Sequence, residues 1–212
     1  MKKLALIALL LCACMTLCAC DALSALSYSI TGEIINPVDG FSRGGDKSTL
    51  VFGGSTYILI EELNGDFDFS VGEESLLLGE TSNFPFFTNF YYYANKTENA
   101  DYIAGASGLP ATFVYLREDL YTDPLLYVLQ NTDYEFDFSS AFTVTDEVSF
   151  KKDIKGQDRR DAKLKFYVKG FPELVASVTV YEINGKWYYV DNDEVFALSE
   201  SFLGAVTQSD LL

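Results

Sequence analysis

The feature that most constrains the fold is a period-two alternation of polar and apolar residues that recurs along the chain. It is clearest in Lys163–Lys169, where Leu164, Phe166 and Val168 alternate with charged or polar residues. Successive side chains of a β-strand point to opposite faces of a sheet, so the pattern predicts a strand with one face toward a core. Helical periodicity is sparse. We therefore expect a mostly antiparallel β protein.

Asn184-Gly185 separates the alternating segments Val175–Ile183 and Lys186–Val190 and predicts a hairpin. Both central residues of a type I′ turn need positive φ, which Asn and Gly adopt readily. The predicted register places Trp187 and Tyr189 on one face with apolar residues of the preceding strand. We therefore expect these two rings in the core rather than on an exposed platform for sugars or peptides.

Asn64-Gly65 predicts a second hairpin in the same way, with Glu61 opposite Asp68. Like charges directly across a sheet are destabilising, so the carboxylates of Glu61, Asp66 and Asp68 either face solvent or hold a divalent cation. The abundance of acidic residues in the chain favours the solvated face. No metal and no cofactor are expected, and these three residues are weak candidates for metal ligands.

Short helices are predicted in the second half of the chain. Asp123-Pro124 is typical of an N-cap and first turn and predicts a helix to about Gln130, and Asp193 would cap a final amphipathic helix through Val206. We expect a β-barrel-like unit at 28–119 and an α+β unit at 120–212. A single continuous β-sandwich is the alternative architecture.

The N-terminus has the pattern of a secretory leader. Lys2 and Lys3 precede the apolar stretch Leu4–Leu17, which is too short to span a bilayer as a mature helix. The following Leu17-Cys18-Ala19-Cys20 resembles the lipobox of bacterial lipoproteins, although Ala or Ser is commoner than Cys at the middle position.

The resemblance covers the leader only and implies a signal peptide at 1–19, a short tether at 20–27 and fatty acylation, such as palmitate, at Cys20. Two or more acyl chains give stable anchoring, so the implied location is the extracytoplasmic face of the cell membrane. Leu11-Cys12-Ala13-Cys14 is a second match with a shorter apolar region. Ordinary cleavage near Ala22 is the other alternative and would give a free secreted protein.

Cysteine and histidine usage excludes several chemistries. All four cysteines lie within the first twenty residues, and the chain has no histidine. Cleavage before Cys20 would leave no disulfide, no thiolate metal site and no cysteine nucleophile in the folded part. Histidine-dependent triads and histidine-ligated zinc are excluded as well. The expected function is therefore a non-enzymatic binding or accessory module of the cell envelope, and a carboxylate-dependent polysaccharide hydrolase is the alternative.

Charge is distributed unevenly along the chain. Without Lys2 and Lys3, 13 of the 15 basic residues remain against 31 acidic ones, so nucleic acid is not an expected partner. Eight of the 13 lie between Lys151 and Lys169. Five of these form the candidate contact site for an anionic partner: Lys155, Arg159, Arg160, Lys163 and Lys165.

Two interpretations of this basic segment remain open. Its basic side chains either form ion pairs with acidic residues of the same domain or contact an anionic envelope polymer, lipid headgroup or protein face. The alternation places Lys163, Lys165 and Lys169 on the face opposite Leu164, Phe166 and Val168.

Overall fold

The computed structural model describes residues 34–45, 48–63, 67–68, 71–83, 88–107, 112–149, 154, 160–191, 193–209 and 211 of the 212-residue chain. The predicted leader and tether lie outside the described residues, as do Cys20, Asp66, Lys155 and Arg159. Within the described ranges, no helix is long and apolar enough to cross a membrane.

The described residues form sixteen strands and two α-helices, which we number along the chain. The strands are β1 (Ile34–Ile35), β2 (Ser42–Arg43), β3 (Thr49–Phe52), β4 (Ser55–Leu59), β5 (Phe67–Asp68), β6 (Leu76–Asn83), β7 (Thr88–Ala94), β8 (Tyr102–Ser107), β9 (Thr112–Arg117), β10 (Leu126–Leu129), β11 (Glu135–Asp137), β12 (Phe142–Val144), β13 (Asp161–Val168), β14 (Phe171–Ile183), β15 (Lys186–Asp191) and β16 (Glu194–Leu198). The helices are α1 (Phe138–Ala141) and α2 (Glu200–Gln208), and a 3-10 turn spans Glu118–Leu120.

The first sheet, called the barrel sheet below, has the strand order β1-β6-β7-β8-β9-β4-β3-β2 and curls into a nearly closed barrel. Its paired strands are all antiparallel. Its interior is filled by large side chains, among them Tyr57, Phe90, Tyr92, Phe113 and Tyr115, each at most 2% exposed. The predicted barrel-like first half is confirmed.

The second sheet, the half-barrel sheet, has the strand order β11-β10-β13-β14-β15-β16-β12. The short strand β5 also pairs with β14 but is not part of this order. The helix α2 begins after Ser199, whose Oγ accepts a hydrogen bond from the backbone N–H of Phe202. Phe202 and Val206 are fully buried and join the core of this sheet. The predicted combination of antiparallel hairpins with one or two short helices is confirmed.

The largest core cluster joins the two sheets. Val114 and Leu116 on β9 point away from the barrel interior and belong to the same cluster as Leu164, Phe166 and Val168 on β13. All five are at most 1% exposed, so the alternation in β13 places its apolar face inward as predicted. Burial of such side chains stabilises the fold by about 1.5–3 kcal/mol each.

The hairpin at Asn184-Gly185 is confirmed in the predicted register, with Glu182 opposite Trp187. Asn184 and Gly185 have φ of +53° and +78°, as a type I′ turn requires. Trp187 and Tyr189 are buried in the core, which confirms the expectation for these rings.

Replacing Gly185 with valine is expected to lower the free energy of unfolding by more than about 1 kcal/mol, because a β-branched residue resists positive φ. No heavy atom lies within 4 Å of a Cβ built at this position, so backbone strain alone causes the loss. Gly185→Asn is the matched control, since Asn tolerates positive φ, and should lose less. Urea denaturation of both variants measures the difference, and equal losses would contradict the turn assignment.

The predicted hairpin at Asn64-Gly65 is wrong. β4 pairs with β3 on one side and β9 on the other, so it has no free edge for a returning strand. Phe67 and Asp68 pair instead with Ala176 and Val175 of β14. The chain crosses here from one sheet to the other because Leu63 and Phe67 are buried in the core between them.

Both predicted helices of the second half need correction. The segment expected to be helical after Asp123-Pro124 contains β10, which pairs with β11 and β13 and buries Tyr127 and Leu129. The pairing of β10 with strands on both sides outweighs the local helix-capping signal of Asp123-Pro124. The final helix begins at Glu200 rather than after Asp193, because the residues between them form β16 against β15 and β12.

Candidate functional site

A basic strand face lies on the outer side of β13. Lys163 and Lys165 are exposed, and they pair across the sheet with Thr179 and Ser177, which carry no charge. Two positions along one strand separate the side chains by roughly 7 Å. Asp161, exposed on the same face, makes no ion pair with Lys163 in the described part of the chain.

Five other basic side chains of the described residues have carboxylate partners. The pairs are Lys96 with Asp101 at 2.8 Å, Arg117 with Asp119 at 2.6 Å, Arg160 with Glu182 at 3.6 Å, Lys169 with Glu135 at 2.6 Å and Lys186 with Glu147 at 2.8 Å. Lys163 and Lys165 have no carboxylate oxygen within 4 Å among the described residues. No described carboxylate therefore neutralises either charge.

Arg160 lies immediately before the same strand and has a different environment. Its guanidinium carbon lies 5.4 Å from the ring centroid of Trp187, in addition to the contact with Glu182. This cation–π contact gives the exposed Arg160 side chain a second interaction with the half-barrel sheet. The structure therefore brings Lys163 and Lys165 together as predicted and places Arg160 beside a neutralising carboxylate, while Lys155 and Arg159 lie outside the described residues.

The weak metal candidates do not come together. Asp68 lies on β5 opposite Val175, so the predicted pairing of Asp68 with Glu61 is wrong. Glu61 is exposed beyond the end of β4, and Asp66 lies outside the described residues. In the part of the chain that the structure describes, no three His, Cys, Asp or Glu residues lie close enough to hold a metal ion.

A shallow depression of about 230 Å³ lies beside the β3–β4 turn and the end of β9. Arg117 forms one wall and donates hydrogen bonds to Asp119 and to the backbone oxygens of Asn99 and Ala100. The hydrogen bond from Arg117 holds the pKa of the exposed Asp119 carboxyl below its usual range. A general acid needs a raised pKa, so Asp119 is suited to binding Arg117 and not to donating a proton.

Gly40-Phe41-Ser42-Arg43-Gly44 matches the spacing Gly-x-Ser-x-Gly of hydrolase nucleophile turns. That motif works only at a sharp turn between a strand and a helix. Ser42 lies instead on β2, an edge strand in which it pairs with Val51 of β3. The chain also has no histidine to act as the base, so the match has no catalytic geometry.

Two buried polar atoms that the sequence analysis missed belong to Glu62 and Tyr127. The Oε2 atom of Glu62 and the hydroxyl of Tyr127 are both buried, and neither has a hydrogen-bond partner among the described residues. The local pattern placed Glu62 in a hairpin and Tyr127 in a helix, so nothing predicted that either polar atom would be buried without a partner. The only local signal was the acidic pair Glu61-Glu62 between the apolar residues Ile60 and Leu63.

Comparison with known proteins adds no functional assignment. No family model matches the chain, and no curated protein or solved structure matches it significantly. Function is therefore inferred from the lipobox-like leader, the basic face of β13 and the chemistry of the remaining surface.

Proposed function

We propose that this chain is a lipid-anchored, extracytoplasmic binding module of the bacterial cell envelope, without enzymatic activity. The observation that carries the binding role is the basic face of β13, where the charges of Lys163 and Lys165 are not neutralised by described carboxylates. The partner is an anionic envelope component, such as a phosphate-bearing polymer, lipid headgroups or an acidic protein face.

Electrostatics supports a defined orientation on such a partner. The chain has 31 acidic against 15 basic residues, so most of its surface repels an anionic surface. A lysine near an anionic surface contributes about 1 kcal/mol, which is weak in free solution. A lipid anchor would keep the domain at high effective concentration near the membrane, where a weak contact is sufficient to orient it.

The alternative, a carboxylate-dependent polysaccharide hydrolase, receives less support. Such enzymes need one carboxyl with a raised pKa and a second carboxylate about 5–10 Å away across a cleft. Glu118 and Asp119 line the described depression, but both are exposed and the pKa of Asp119 is lowered by Arg117. Their positions suit a structural ion pair better than acid–base catalysis.

Replacing both Lys163 and Lys165 with serine is expected to weaken binding to anionic phospholipid vesicles by roughly thirtyfold at low ionic strength, because each lysine contributes about 1 kcal/mol. The measurement is vesicle cosedimentation of the unlipidated Cys20→Ala chain. The difference should shrink as salt screens exposed charges.

The matched control is the double variant Lys169→Ser and Lys186→Ser, which changes the net charge equally but removes lysines already paired with Glu135 and Glu147. We expect this control to lose much less affinity. An equal loss would show that net charge, and not the face of β13, determines binding. Absence of binding by the parent chain at low ionic strength would contradict the proposed contact.

A further inference from the structure

The basic face of β13 includes a third polar side chain, contributed by β14. Lys163 and Lys165 are two residues apart on one strand, so their Cβ atoms lie roughly 7 Å apart. Thr179 pairs directly with Lys163, which places the two Cβ atoms about 5 Å apart, and it lies diagonally from Lys165 at roughly 7–8 Å. The three side chains therefore stand at the corners of a small triangle on the outer surface of the sheet.

All three side chains can be reached from solvent. Both lysines are exposed, and Thr179 is partly exposed. Ser177, which pairs with Lys165, differs because its Oγ atom is buried and has no hydrogen-bond partner among the described residues. The donors that a ligand meets on these two residue pairs are therefore two ammonium groups and the Thr179 hydroxyl.

The neighbouring side chains limit the size of the positive surface. Asp161 is exposed one step along the same face of β13, opposite Tyr181, and brings a carboxylate to that end. At the other end, Tyr167 and Val175 are partly buried and carry no charge. A broad anionic surface would meet Asp161 as well as the lysines, whereas a compact anion contacts the lysines alone.

We propose that Lys163, Lys165 and Thr179 bind the terminal phosphate monoester of an envelope molecule. This inference rests on the proposed function and specifies the chemistry of its anionic partner. A phosphate monoester carries a charge of about −1.5 to −2 at neutral pH and has three strong acceptor oxygens. Its charge matches two lysines, and its three oxygens match two ammonium groups and one hydroxyl. Lysine stems are flexible, so both Nζ atoms can converge on one phosphate group.

A phosphate diester or a carboxylate matches this donor set less well. Each carries a single negative charge and offers two charged oxygens. One of the three donors would then remain without a charged acceptor, and hydrogen bonds to charged acceptors are the strong ones. The donor set therefore favours a phosphate monoester among the anionic components of an envelope.

The test compares vesicles containing phosphatidic acid, a monoester, with vesicles containing phosphatidylglycerol, a diester, at equal surface charge. Cosedimentation of the Cys20→Ala chain should show about tenfold tighter binding to phosphatidic acid, because one more hydrogen bond to a charged group is made. Thr179→Val should abolish this preference and leave binding to phosphatidylglycerol unchanged, since both lysines remain. The matched control is Ser177→Ala, which removes a hydroxyl of the same strand whose Oγ is buried, and it should keep the preference.

A soluble competitor distinguishes the phosphate group from the bilayer as the source of the affinity. Glycerol 3-phosphate should release the Cys20→Ala chain from phosphatidic acid vesicles. Disodium succinate at the same ionic strength should release much less, because it screens charge equally but divides its own charge between two carboxylates. Equal release by the two salts, or release by neither, would overturn the monoester site.

The outcomes also separate this inference from the proposed function. Equal binding to the two kinds of vesicle, still weakened by replacing Lys163 and Lys165 with serine, would keep the anionic contact and overturn the preference for a monoester. Absence of binding to both kinds would overturn the contact as well. Retention of the preference in Thr179→Val, or its loss in Ser177→Ala to the same extent, would contradict the role of Thr179.

Discussion

Replacing Cys20 with alanine is expected to move the protein from the membrane fraction into the surrounding medium. Two or three acyl chains hold a protein stably on a bilayer, whereas a protein without them has only its surface for attachment. Acidic residues outnumber basic ones by 31 to 15, and the weak contact through Lys163 and Lys165 is screened at physiological ionic strength, so it cannot replace the lipid anchor. We therefore expect near-complete release, measured by immunoblotting of membrane and medium fractions.

The leader offers its own matched controls. Cys14→Ala tests the second match at Leu11-Cys12-Ala13-Cys14, and Cys18→Ala restores the commoner residue at the middle position of the lipobox. Both variants should stay in the membrane fraction, and mass spectrometry should find an acyl-glyceryl group on Cys20. A mature protein that begins at Ala22 or beyond, without lipid, would contradict this prediction.

The fold was predictable where a local pattern decided the outcome. The alternation in β13 buries the predicted face, and the hairpin at Asn184-Gly185 has the predicted register. Both depend on residues close together in the sequence. Asn64-Gly65 carries the same turn signal, yet the residues after it pair with β14. A turn dipeptide indicates where a chain can reverse, but the choice of partner depends on distant strands that compete for the same edge.

The candidate functional residues also differ in whether a local sequence pattern predicts their environment. Exposure of Lys163 and Lys165 follows from the buried residues between and beside them on one strand, so the sequence was sufficient to predict it. The burial of Glu62 Oε2 and of the Tyr127 hydroxyl depends on the crossing of the chain between the sheets and on β10 being a strand. Neither feature has a local signal, because long-range pairing decides both.

The barrel interior is expected to be intolerant of a single methyl group at Gly105. This residue lies on β8 opposite Tyr92 and Phe113, and a Cβ atom added there would overlap Cε1 of Phe90 and lie 3.0 Å from its Cζ. Phe90 is 2% exposed and packs against Phe113 at a centroid distance of 5.3 Å, so its ring has little room to move. Gly105→Ala should therefore lower the free energy of unfolding by about 1–3 kcal/mol.

Urea denaturation of Gly105→Ala should be compared with Gly204→Ala, a glycine in α2 with no heavy atom within 4 Å of its added Cβ. The free energy of unfolding of Gly204→Ala should rise by about 0.5–1 kcal/mol, because alanine is more stable than glycine within a helix. Adding Phe90→Leu to Gly105→Ala should recover part of the loss, since the leucine lacks the ring atoms that meet the new methyl group. Unchanged stability of Gly105→Ala, or a double variant whose losses simply add, would mean that the barrel packs these residues differently.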